Sequence, residues 1–245
     1  GDWAAVSKAL ELAGYPSSVE GAKDYLRDWA ETMKPEYFMA CTPYKYSLQE
    51  KKKEKDGGDG TDDKPDLMRE VLAPVAEEKQ LPLALKLGAH RGLNPRLKAG
   101  GDGVEVMELE VLETMCRSFP RVKFLTTVLS ADNQHQLCVI ANKFSNLHLY
   151  GCWWYCNNPS LIASITAMRV QILGTAFTVQ HSDARVLEQL LYKWKHSRQV
   201  IGRVLGGEYL KLAQTGWPVT QQDIRRDIER LFGGAYEEFM AKDLK

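Results

Sequence analysis

The chain has 245 residues, enough for one large domain or two small ones with a sizeable core, which excludes a short peptide or a disulfide miniprotein. A hydrophobic fraction of 44% with 26% charged residues is ordinary for a soluble protein and excludes whole-chain disorder and a membrane protein. Lys plus Arg (32) balance Asp plus Glu (32), so there is no net field to hold nucleic acid or an anionic membrane, and neither is an expected partner.

Ser17 and Ser18 precede Val19, Ala22, Leu26, Trp29 and Met33, apolar residues at helical spacing, which predicts a capped helix over 19–33 that Pro35 ends. Residues 36–42 (EYFMACT) read as a buried strand stopped by Pro43. The stretch at about 49–66 is charged and glycine-rich without apolar periodicity, and is expected to be a mobile surface loop. Its DGGDGTDD run lacks the register and closing Glu of an EF-hand calcium loop. Helices are then expected over 67–79, 105–118, 134–144 and 159–173, alternating with strands over 82–88, 122–130, 147–154 and 178–181. Continuously apolar strands separated by amphipathic helices indicate an α/β fold with a parallel sheet, either a barrel or a doubly wound sheet. Helices over 184–196, over about 199–213 and after Thr220 close the chain. The first of these carries Val186, Leu187, Leu190, Leu191 and Trp194 on one face, and Thr220 with Asp223 resembles a capping box.

In such folds ligands bind at the carboxyl ends of the strands, so the polar residues that follow each strand are the candidates. They are Thr42, Tyr44 and Lys45; His90 and Arg91; Ser130, Asp132, Asn133 and His135; Trp153, Trp154, Asn157 and Asn158; and His181, Ser182, Asp183 and Arg185. The last group is the richest. Asp183 suits a metal ligand or general base, and Arg185 a bidentate grip on a carboxylate. The local alternative is that Ser182 or Asp183 caps the next helix while Arg185 pairs with Glu188. Trp153 either walls a pocket or packs between sheet and helices. Asn133 and His135 either contact substrate or cap the following helix, and Arg91 either orients an anion or is solvated. His148, inside an apolar strand, reads as structural. The five cysteines (Cys41, Cys116, Cys138, Cys152, Cys156) lack zinc-ribbon or redox spacing and read as reduced thiols of a cytoplasmic protein. The chain opens Gly-Asp-Trp, with neither a secretory signal nor an apolar run near the ~20 residues that span a bilayer, and is expected to be a fragment of a longer protein.

Several segments resemble uronate isomerases, members of the amidohydrolase superfamily with a (β/α)8 TIM barrel. They are LKLGAHRGLNP, FLTTVLSADNQHQL, KFSNLHLYGCWWYCNNP and LGTAFTVQHSDARVLEQLLYKWKHS, supported by DYLRDWAETMKPEYFMA and the last helices. The GCWW and HSDAR pair is more specific than either alone. The resemblance covers nearly the whole chain, residues 1–245, and implies the carboxyl-terminal portion of a single metal-dependent barrel domain, roughly the fourth to eighth βα units plus C-terminal helices. It implies isomerisation of D-glucuronate to D-fructuronate, and of D-galacturonate to D-tagaturonate, at one divalent metal, with zinc the expected ion. By similarity Asp183 is the eighth-strand carboxylate that binds the metal and helps move the proton from C2 to C1, Arg185 grips the C6 carboxylate, and Trp153 lines the pocket. Arg91, Asn133 and His135 also fall in family-like segments and are taken as substrate-binding. The sequence departs from the family pattern in having no His-x-His metal pair. That departure keeps open a noncatalytic barrel remnant that acts as a structural or interaction module; a metal hydrolase on the same scaffold is a third reading, since the superfamily mostly hydrolyses. A small uronate, a second copy of the chain and a complementing N-terminal chain are the expected partners.

Overall fold

The computed structural model describes residues 3–46, 65–181 and 183–244. The loop expected at about 49–66 therefore lies outside the described residues except for Pro65 and Asp66, as does Ser182. Asp66 is anchored: its Oδ1 accepts hydrogen bonds from Tyr46 Oη (2.9 Å) and from the Met68 backbone (3.0 Å).

The first helix, α1 (Trp3–Leu12), was not foreseen, although Trp3, Val6 and Leu10 mark its inner face against α2 (Val19–Met33). Ser18 caps α2 by accepting from the Gly21 N–H at 3.0 Å, and Lys34, at φ +46°, ends it before Pro35. The helical period of α2 is as expected, but its apolar face is only partly covered: Ala22 and Ala30 are buried while Trp29 and Met33 are exposed. Strand β1 (Phe38–Pro43) follows, then a π-helical turn over Met68–Leu72 leading into α3 (Ala73–Glu78).

The expected alternation comes next: β2 (Leu83–His90), a short β3 (Gly103–Val104), α4 (Glu110–Ser118), β4 (Phe124–Val128), α5 (Gln134–Lys143), β5 (Leu147–Leu149) and α6 (Pro159–Leu173). The largest differences from expectation are at three boundaries. The helix predicted from residue 105 starts at Glu110, because β3 pairs antiparallel with Ala89 and His90 and Met107 is tied to the Asn133 amide. The strand predicted over 147–154 stops at Leu149, since Gly151 (φ +50°) and Trp154 (φ +47°) turn the chain out of extended geometry. The strand predicted over 178–181 is reduced to a single parallel bridge between Tyr150 and Thr178.

The parallel strands run β1-β2-β4-β5 in chain order, and the Tyr150–Thr178 bridge continues that order. A doubly wound sheet reverses direction at a switch point, so monotonic order with α4, α5 and α6 on one face is the winding of a barrel wall. On that face Leu83, Leu85, Leu87, Phe124, Val128, Leu147 and Leu149 form one core with residues of α4, α5 and α6. Each such fully buried Leu or Phe contributes about 1.5–3 kcal/mol. Period-2 alternation turns Met39, Cys41, Ala84, Lys86, Leu125, Thr127 and His148 to the other face.

The two helices predicted over 184–196 and 199–213 are one, α7 (Leu187–Gln214), of 28 residues. Its second half joins the core through Val200, Ile201 and Leu205, whereas Leu187 and Leu191, expected on a buried face, are exposed. The Thr220/Asp223 capping box is present and opens α8 (Gln221–Glu229), which a π-helical segment over Arg230–Gly234 joins to α9 (Ala235–Ala241). Phe239 of α9 packs on Ala84 and Leu125 and stacks on His148, and so covers the amino-terminal half of the inner sheet face. All five cysteines are free thiols: Cys116, Cys138, Cys152 and Cys156 are buried, while Cys41 is exposed on the edge strand. Among the described residues no helix is long and apolar enough to cross a membrane.

His148 is structural, with Nε2 2.9 Å from Thr178 Oγ1. Burial, helped by the Arg169 charge, pushes its pKa from 6.5 down to about 4. Between these two values the unfolded chain binds the extra proton, so stability is full above 6.5 and falls as pH drops toward about 4. The loss assignable to His148 is at most about 3 kcal/mol. Urea midpoints of wild type and His148→Gln at about pH 7.5 and about pH 4.5 check this: the variant should lose less, and equal losses would contradict it.

Candidate active site

Asp183 lies just beyond the Thr178 bridge, on left-handed backbone at φ +43°. Its Oδ1 accepts from the Lys86 ammonium at 2.6 Å, and its carbonyl oxygen accepts from Lys193 Nζ at 3.1 Å. The sequence left open whether Asp183 caps the next helix. It does not: Val186 stands at the N-cap of α7 without a side-chain cap. Burial pushes the Asp183 carboxyl upward, but the hydrogen bond and charge of Lys86 outweigh it and hold the group below the usual carboxylate range. The carboxylate is therefore ionised at neutral pH. His181 is pushed to about 4 by burial and next by the Lys86 charge, so it is neutral there, with its ring edge-on to Tyr150.

Lys86 sits in the interior of β2, with Cys41 and Thr127 beside it in register, and its side chain is 13% exposed. The ammonium lies 4.9 Å from the Trp153 ring centroid, within cation–π range. Trp153 is buried with Ala89 and Leu129, and its Nε1–H has no hydrogen-bond partner. The sequence reading missed Lys86 as a site residue; the available signal was a lone charge inside the apolar run LALKLGAH.

Arg169 holds this end of the sheet together. It lies on the buried face of α6 with Ile162, Ile165 and Thr166, and donates to Gly151 O (2.9 Å) and Gln134 Oε1 (3.0 Å). Gln134 in turn donates to the carbonyls of Val128 (3.1 Å) and Ser130 (3.3 Å), which links the ends of β4 and β5. The helical period places Arg169 on the buried stripe, so it too was findable from the sequence.

The other candidates disperse. Arg185 is exposed; its backbone N–H donates to Gln189 Oε1 at 2.8 Å. Arg91 pairs with Asp102 and lies 5.8 Å from the Trp154 ring. The Gly92 backbone N–H, then Arg91, lower the Asp102 pKa. Asn133 is buried with both amide atoms bonded to the Met107 backbone, at 3.1 and 2.9 Å. His135 is exposed on the first turn of α5. Asn158 caps α6 through the Leu161 N–H.

The divalent metal implied by the resemblance does not fit this residue set. Among the described residues no three His, Cys, Asp or Glu side chains gather to hold an ion, and Asp183 Oδ1 already faces an ammonium. What the arrangement offers is an ionised carboxylate paired with a cation beside a buried indole at the carboxyl ends of the strands.

No protein-family model and no curated protein matches the chain. Among solved structures, a uronate isomerase from Bacillus halodurans C-125 is 38% identical with a TM-score of 0.88, covering 99% of this chain and 57% of that one. A uronate isomerase from Thermotoga maritima has a TM-score of 0.63 at 18% identity, over 71% of this chain and 40% of that one, a likeness of fold alone. The chain thus spans a little over half the length of the Bacillus enzyme. In sequence and fold the chain is similar, over nearly its whole length, to a uronate isomerase, in agreement with the resemblance carried by the LKLGAHRGLNP, GCWW and HSDAR segments.

Proposed function

We propose that the chain is the carboxyl-terminal portion, roughly the fourth to eighth βα units, of a uronate isomerase that interconverts D-glucuronate with D-fructuronate and D-galacturonate with D-tagaturonate. The observation that carries the reading is the ionised Asp183 carboxylate at the strand ends, beside Trp153 and Lys86. Aldose–ketose isomerisation removes a proton next to a carbonyl, which needs a base and positive charge close to the oxygen that becomes negative. Asp183 helps move the carbon-bound proton from C2 of the open-chain sugar to C1, while the C2 hydroxyl proton passes through solvent to the C1 oxygen. Trp153 walls the sugar, and Arg185 grips the C6 carboxylate in a bidentate pair. Arg91, Asn133 and His135 complete the binding residues, Asn133 by fixing the segment around Met107. The divalent ion expected by resemblance, zinc, is not held by this residue set, so its binding would depend on donors from a complementing N-terminal segment or a second copy of the chain. The protein is placed in the cytoplasm on the same basis.

The test is conversion of D-glucuronate to a ketose without release of a leaving group, followed by NMR; release of a leaving group would mark a hydrolase instead. In an active preparation Arg185→Met should raise KM about 10- to 100-fold, the weight of one charge-assisted pair, with a smaller change in kcat. An unchanged KM removes the carboxylate clamp.

A second reading, a noncatalytic structural or interaction module, is favoured by the lack of a metal-ligand group among the described residues and by the exposed Leu187 and Leu191. It predicts no stoichiometric metal and no uronate turnover in the presence of any partner chain.

A further inference from the structure

Tyr150 follows β5 and stands on the inner face of the sheet, in register with Thr178, whose hydroxyl meets the inward-facing His148. Its ring is held from two sides. It packs against Ala84, Leu125 and Phe239, and the His181 ring meets it edge-on with centroids 5.0 Å apart. None of these contacts uses the hydroxyl. Among the described residues the phenol oxygen makes no hydrogen bond, and it is not one of the buried polar atoms shut away from solvent without a partner. A phenylalanine would fill the same space, so packing accounts for the ring and not for the oxygen, and the hydroxyl of a mostly buried tyrosine ordinarily finds a partner. Burial holds the phenol well above the usual tyrosine range, and Tyr37, Cys41 and Asp183 nearby push it the same way, so near neutral pH it is a protonated donor. Cys41 belongs to β1, the far edge of the sheet, and Asp183 to the segment beyond the Thr178 bridge, so the phenol lies in the interior that the two edges enclose. Trp153, three positions on, carries a second donor without a partner, its Nε1–H. Two unpaired donors at the strand ends suit a ligand rich in oxygen acceptors, as a polyhydroxy acid is and an apolar compound is not.

We propose that Tyr150 is a further substrate-binding residue of this site, its hydroxyl donating a hydrogen bond to an oxygen of the sugar acid held beside Trp153. The hydroxyl keeps its proton throughout, so nothing is transferred. This rests on the uronate reading above and adds to it a neutral contact that neither binds an ion nor takes a proton.

Two measurements test it. In protein labelled with 13C at the oxygen-bearing ring carbon of tyrosine and with 15N at the tryptophan indole, one tyrosine resonance is assigned by its loss in Tyr150→Phe and one indole resonance by its loss in Trp153→Phe. Both should shift as D-glucuronate is added. A shift at Trp153 alone overturns the proposal and keeps the pocket; a shift at neither removes the uronate reading and the proposal with it. In kinetics, Tyr150→Phe should raise the KM for D-glucuronate about 3- to 10-fold, the weight of one neutral hydrogen bond, with kcat changed less than about threefold. A KM within about 1.5-fold of an active wild type overturns the proposal. The retained ring should keep Tm within about 2 °C of wild type, and a loss of more than about 5 °C would give the hydroxyl a structural task and overturn it as well.

Discussion

Replacing Asp183 by Asn is expected to lower the isomerisation rate of an active preparation by about 10³-fold or more while leaving the chain folded. Asn keeps the shape of the carboxylate and can still accept from the Lys86 ammonium through its amide oxygen, so the contact now measured at 2.6 Å is weakened rather than deleted. What it cannot do is take a proton from carbon. The side chain is only partly buried, at 31% exposure, so the fold has little to lose, and a circular dichroism melt should move by only a few degrees. Rates and melting together decide the matter. A variant that turns over within about tenfold of wild type would show that another group carries the proton, and a variant that unfolds would show that the aspartate is mainly a brace for Lys86.

Gly151→Ala should be the most destabilising single-atom change near the site. Gly151 has φ +50°, and a Cβ there would lie 2.5 Å from both the backbone N and the ring Cδ2 of His181. The first contact is with backbone, which cannot rotate away. The same residue donates its N–H to Thr178 O at 2.8 Å and accepts from Arg169 at 2.9 Å, so any shift disturbs the junction that leads to Asp183. Left-handed strain of about 1–2 kcal/mol plus the overlap gives a loss of about 3 kcal/mol, which is about 6–12 °C in Tm for a chain of this length. Gly14→Ala is the matched control: φ is +82° there, yet a Cβ would meet nothing within 4 Å, so only the backbone strain of about 1 kcal/mol is expected. Equal losses in the two variants would show that the His181 contact relaxes freely.

Much of this was legible in the residues because it depends on near neighbours. Ser18 caps α2, Thr220 and Asp223 close a capping box, and 159–173 is helical from end to end, each through interactions within one or two helical turns. Continuous apolar runs marked β2 and β4 as strands buried on both faces. Strand length was less legible at 147–154 and 178–181, where apolar composition predicts extension but positive φ at Gly151 and Trp154 ends it, and no local pattern encodes that turn. The candidate residues show the same division. Asp183 and Trp153 were picked by their position after a strand, and the fold sets both against Lys86; Asn133 came from the same reasoning, and its amide is instead engaged by Met107.

Sequence by itself thus determined the strand–helix alternation from β2 to α6, the caps at Ser18 and Thr220, the parallel α/β plan and the similarity to uronate isomerases, since periodicity, capping and motif identity are carried by residues close together in the chain. Only the tertiary structure decided the direction of strand winding, the exposure of Leu187 and Leu191, the packing of Phe239 on the inner sheet face and the pairing of Lys86 with Asp183. These rest on contacts between residues distant in sequence, whose partners are chosen by the packing of the whole sheet and not by any local preference.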